Sequence, residues 1–73
     1  MGNLDFESQL QSSIASVYYE VEYVAYYIGK AQSLYNSGND SEARECLESA
    51  VDLLRAAGED WAANKVEYYE RFM

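Results

Sequence analysis

The chain has 73 residues, is 49% hydrophobic, and contains no proline and only four glycines, a composition for one small, ordered, helical domain spanning 1–73. Thirteen acids against five bases give a formal charge of −8, which argues against direct binding to nucleic acid or an anionic membrane and favours a basic partner. With no histidine and a single cysteine, Cys46, there is no basis for a His-based triad, an imidazole metal site, a zinc knuckle or an internal disulfide, so no enzyme, metal or cofactor is expected.

The N-terminal stretch MGNLDFESQL has two acids and no basic n-region, so no secretory leader is expected. Gly2 follows the initiator methionine, but Asp5 and Glu7 and the lack of a basic cluster argue against myristoylation. The apolar run VAYYI at 24–28 is too short for a membrane span. A cytoplasmic protein is the expectation.

The first helix is expected over 5–36. Leu10, Ile14, Val17, Val21, Val24, Ile28, Ala31 and Tyr35 are spaced alternately by four and three, a heptad seam held for more than three heptads. Gly29 lies inside this helix, where glycine is costly, and its expected reason is close approach of another helix. Asn36-Ser37-Gly38-Asn39 then breaks the pattern with four turn formers. A second helix is expected over 40–57, capped by Asn39 or Asp40, with an apolar stripe of Ala43, Leu47, Ala50, Leu54 and Ala57. Cys46 falls on its apolar flank and is expected to be buried and inert. Gly58 suits the residue after a last helical turn. The apolar phase then shifts to Ala62, Val66, Tyr69 and Met73, flanked by Trp61, Tyr68 and Phe72, which predicts a third helix over 60–72.

The predicted fold is therefore all-α, a small three-helix antiparallel bundle with a long first helix. The alternative is a two-helix antiparallel hairpin in which Gly58 only kinks one helix. The first helix would be about 45 Å long and the second about 26 Å, at 1.5 Å per residue. Leu10, Ile14, Val17 and Val21 would then form an uncovered seam, which predicts a homodimer or a hetero-complex.

From Val24 onward the chain resembles a tetratricopeptide-type helical repeat. Tyr27, Ala31, Leu34, Gly38, Ala43, Leu47 and Ala50 match its large, small and turn positions, and Trp61 falls one 34-residue period after Tyr27. The likeness covers one repeat and the first helix of a second. It implies a protein-binding or peptide-binding role as an adaptor or chaperone, with the uncovered seam as the groove.

Five of the eleven residues in VYYEVEYVAYY, positions 17–27, are tyrosines. On a continuous helix Tyr18 and Tyr27 flank the seam with their hydroxyls reaching water, while Tyr19, Tyr23 and Tyr26 lie opposite it, with Glu22 among them. Either the third helix covers this second face and the rings are core, or Tyr19, Glu22, Tyr23 and Tyr26 form an exposed recognition patch of the kind tyrosine favours. Glu45, Glu48 and Asp52 form an acidic stripe on the second helix, and Asp60, Glu67 and Glu70 form one on the third. Such stripes are either solvated faces or a mimic of nucleic-acid phosphates. A single stripe is too sparse for mimicry, giving a charge per about 5 Å of axis against about 1.7 Å in duplex DNA, so two helices or two subunits side by side would be needed.

The expected function is non-enzymatic binding of another protein with a basic, nucleic-acid-binding surface. Tyr19, Tyr23 and Tyr26 would anchor, and Glu22, Glu45, Glu48 and Asp52 would meet the basic groups. In size, charge and lack of catalytic groups the chain is similar to small phage-encoded inhibitors, including anti-CRISPR proteins.

Overall fold

The computed structural model describes residues 4–73, so Gly2 lies outside the described residues. It is all-helical, with five segments: α1 (Phe6–Ser13), α2 (Ala15–Tyr18), α3 (Val24–Asn36), α4 (Asp40–Ala56) and α5 (Asp60–Glu70).

The single first helix expected over 5–36 is not formed. Asp5 does cap its start, its carboxylate accepting from the Ser8 N–H at 3.1 Å. The helix kinks at Ile14 (φ −118°, ψ 34°) and stops in a turn spanning residues 19–23. Tyr23 closes that turn in the left-handed region, at φ 73°. The chain extends 33 Å along its longest axis, less than a straight first helix would need. The break turns α1 back so that it packs on both α3 and α5.

That reversal corrects the expectation of an uncovered seam. Leu10 and Ile14 are fully buried, Val17 nearly so, and Val21 half-buried against the same core. The driving force is the apolar area that an isolated seam would leave wet, at roughly 25 cal/mol per Å². Phe6 completes the closure. It is fully buried, with its ring 5.8 Å from Tyr35 and 6.0 Å from Tyr69. The Tyr69 hydroxyl donates to Gln9 Oε1 at 2.6 Å, tying α5 to α1.

A buried amide pins the other side of α1. Gln32 Oε1 accepts from the Glu7 N–H at 3.0 Å, while its Nε2 donates to the Leu4 carbonyl and to Asn36 Oδ1, both at 3.0 Å. The close approach expected at Gly29 is made by α1. A Cβ at Gly29 would lie 3.1 Å from Glu7 Oε2.

The remaining elements follow the sequence closely. α3 packs on α4, and α4 on α5. Ala43, Leu47, Ala50 and Leu54 of α4, and Ala62 and Val66 of α5, are all fully buried. Asn39 occupies the cap position of α4, although its side chain makes no capping hydrogen bond. Both reversals have the same form. After α3, Gly38 (φ 86°) lets the Asn39 N–H donate to the Leu34 carbonyl at 2.8 Å. After α4, Gly58 (φ 79°) lets the Glu59 N–H donate to the Leu54 carbonyl at 2.8 Å. Positive φ costs glycine nothing, and the bonds satisfy carbonyls that the helix ends leave free. Gly58 therefore ends α4, and the two-helix hairpin is not formed.

Candidate functional site

Two surfaces carry the residues that the sequence singles out, and the fold keeps them apart. The first is the turn between α2 and α3. Tyr19, Tyr23 and Tyr26 are 69%, 61% and 58% exposed, so α5 does not cover them, and Glu22 is exposed beside Tyr23. The helical break at 19–23 changes how they are presented. Tyr19 follows α2, Tyr23 sits at the head of α3, and only Tyr26 lies inside a helix.

Two of the three rings, Tyr19 and Tyr26, have a local support. Tyr19 stands edge-on to the buried ring of Tyr18, 4.9 Å away, and its hydroxyl accepts from Gln11 Nε2 at 2.6 Å. Tyr26 packs edge-on to Tyr27 at 5.2 Å, with the Lys30 ammonium 5.9 Å from its ring centre. Such neighbours restrict the ring's rotamers, which would lower the ordering cost of any contact made there. Tyr18, expected to reach water, is instead buried, and burial first, then the nearby Glu7 carboxylate, pushes its phenol up to about 12.

The second surface lies between α4 and α5. Glu48 and Asp52 from α4 line a shallow groove of about 200 Å³ with Glu67 and Glu70 from α5, and Arg55 sits among them. Arg55 pairs with Glu67 at 3.0 Å and donates to Asn64 Oδ1 at 3.3 Å. Four carboxylates against one guanidinium leave the groove negative. The Glu70 carboxyl is raised above its ordinary value by partial burial first and then by Glu48 and Glu67, with Arg44 and Arg55 pulling the other way.

Glu45 does not join this groove. It faces the opposite flank of α4, where it lines a depression with Lys30, Glu42 and Cys46. Cys46, expected to be buried, is partly so, packed against the core with one side open to that depression. Lys30, whose ammonium lies 5.9 Å from the Tyr26 ring centre, lines that depression too. None of Tyr19, Tyr23 and Tyr26 lines the α4–α5 groove.

Sequence spacing flagged Glu67 and Glu70 only as an acidic stripe. Their convergence with Glu48 and Asp52 depends on the tight Gly58 reversal, which sets α5 beside α4. Among the described residues, no group of three or more Cys, Asp or Glu is placed to hold a metal ion, and no helix is long and apolar enough to cross a membrane. No family model matches the chain, and no curated protein or solved structure matches it either.

Proposed function

We propose that this chain is a non-enzymatic, cytoplasmic inhibitor that binds the basic, nucleic-acid-binding surface of another protein, as small phage-encoded inhibitors such as anti-CRISPR proteins do. The observation that carries this reading is the α4–α5 groove. Glu48 and Asp52 are four residues apart, and Glu67 and Glu70 three apart, on adjacent helices facing one cleft. The α4 stripe carries one carboxylate per about 6 Å of axis and the α5 stripe one per about 4.5 Å, so side by side they give one per about 2.6 Å, nearer the one per about 1.7 Å of duplex DNA than a single stripe comes. Arg55 removes one charge and keeps Glu67 in place. The net −8 steers a basic partner toward the cleft, and the exposed rings of Tyr19, Tyr23 and Tyr26 offer a separate contact surface.

The test is capture from host lysate at low and high salt, using the native chain and a Glu48→Gln, Asp52→Asn, Glu70→Gln variant. The reading expects a nucleic-acid-binding protein that is released by salt, displaced by duplex DNA, and lost with the variant. A partner that survives both salt and neutralisation would refute it.

The alternative reading, a tetratricopeptide-like adaptor, draws support from the α3–α4 hairpin, where Ala31, Ala43, Leu47 and Ala50 are fully buried and Gly38 reverses the chain. Its groove would not be the seam of Leu10, Ile14 and Val17, because the chain's own core occupies it. Salt-tolerant capture of a peptide would favour the adaptor.

A further inference from the structure

A third surface is used by neither reading. Trp61, Tyr68 and Phe72 stay about half exposed along the outer side of α5 and the turn that continues it. Lys65 is exposed in the same row. Positions 61, 65, 68 and 72 are spaced four, three and four, which puts them on one helical face. The row is tightly built, since the rings of Tyr68 and Phe72 lie 5.3 Å apart. Beside it, Trp61, Asn64, Lys65, Tyr68 and Tyr69 of α5 and Ser13 of α1 line an open concavity of about 530 Å³. Three large exposed rings on one face of a chain this small form the type of patch that marks an interaction surface.

The geometry points to a second copy of this chain as the occupant, with α5 pairing antiparallel against α5 across a two-fold axis. The spacing four, three, four reads the same in both directions. In an antiparallel pair, Trp61 therefore meets Phe72 of the other copy, and Lys65 meets its Tyr68, twice over. Such a self-complementary patch is what a two-fold interface requires. The charges also fit. An ammonium over a phenol ring is attractive, whereas rows of Lys65 or of acids facing their own kind would repel. Asn64 of one copy falls opposite Tyr69 of the other, and both border the concavity, which gives an incoming ring a place to sit. The eleven residues of α5 span about 16 Å at 1.5 Å per residue. One face of so short a helix buries less than the roughly 800 Å² per partner of a standard interface, so the dimer is a weak one.

This pairing is independent of the acidic groove and responds to salt in the opposite sense. Two chains of charge −8 repel at long range, so salt strengthens or leaves unchanged a contact made of rings. Trp61 is the chain's single tryptophan, so its emission reports directly on this face. The experiment is sedimentation and Trp61 emission over about 5 to 500 µM protein, the range in which weak association shows, at low and high salt. The expected result is a monomer–dimer equilibrium with a blue shift on association, no weaker at high salt. Lys65→Glu should weaken it about tenfold or more, and Trp61→Ala with Tyr68→Ala should abolish it. Circular dichroism checks that each variant keeps its helix. A chain that stays monomeric throughout, a dimer that dissociates as salt rises, or one that survives the double substitution overturns the proposal.

Discussion

Tyr23 offers a direct test of how the first helix is broken. Its backbone lies at φ 73° and ψ −4°, a region that costs a residue with a Cβ about 1–2 kcal/mol. Tyr23→Gly removes that cost but gives back about 0.5–1 kcal/mol through glycine's greater freedom in the unfolded chain. Tyr26→Gly is the matched control. Its ring is exposed to nearly the same extent, 58% against 61%, so the loss of the ring contributes similarly to both. Inside α3, however, the exchange relieves nothing and costs about 0.5 kcal/mol in helix propensity. The Lys30 and Tyr27 contacts of Tyr26 add to that loss. Tyr23→Gly should therefore be the more stable variant by about 1–1.5 kcal/mol, or roughly 5–10 °C in Tm for a domain of this size. Thermal unfolding followed by far-UV circular dichroism measures it. Equal melting temperatures, or a lower one for Tyr23→Gly, would refute a strained turn at this position. If the turn supports partner binding, the stabilised variant should also bind more weakly.

Three further outcomes are expected. Gln32→Ala strands the Glu7 N–H and the Leu4 carbonyl, so urea unfolding should show a loss of about 2–3 kcal/mol, with faster hydrogen exchange at Glu7; a loss under about 0.5 kcal/mol would mean that the amide does not hold α1. Gly38→Ala and Gly58→Ala should each cost about 1 kcal/mol and by similar amounts, since both sites have positive φ and open space around the missing Cβ, so only backbone strain is added. Glu70 is raised in the folded chain, so its contribution favours folding below the ordinary value of 4.5 and is lost as pH rises through the folded value; Glu70→Gln should raise Tm at neutral pH and leave it unchanged in acid, and a lower Tm at neutral pH would contradict the crowding by Glu48 and Glu67.

Local chemistry made the C-terminal two thirds of the chain legible. Asn36 to Asn39 and Gly58 announce their turns, because a positive φ is cheap only for glycine. The phase shift from the Leu54 stripe to the Ala62 stripe marks the start of α5, and the observed bounds of α4 and α5 fall within two residues of those expected. The break at 19–23 has no such marker. It holds no glycine or proline, and the heptad seam runs straight through it. A tertiary effect decides it, namely the burial of Phe6, Leu10 and Ile14 against α3 and α5, at the expense of a strained Tyr23. The length mismatch between the first two helices is the trace of this in the sequence; by itself it fits an uncovered seam as well as a folded-back α1. Gln32 escaped notice for the same reason: a glutamine between Ala31 and Leu34 reads as a surface residue until α1 is laid over it. The acidic surface was half legible. Glu48 and Asp52 were found, but Glu45 was grouped with them because spacing on one helix does not tell which neighbour covers which flank.

The two glycine reversals also bear on how the chain reaches its native state. Everything from α3 to α5 is assembled through contacts between neighbours in sequence, each closed by a loop of only a few residues. That low contact order places its formation in the microsecond-to-millisecond range typical of small helical domains. The joints at Gln32 to Glu7 and Tyr69 to Gln9 instead link positions 25 and 60 residues apart. Docking of α1 is thus the late, entropically costly event, and its release is the first excursion from the folded ensemble.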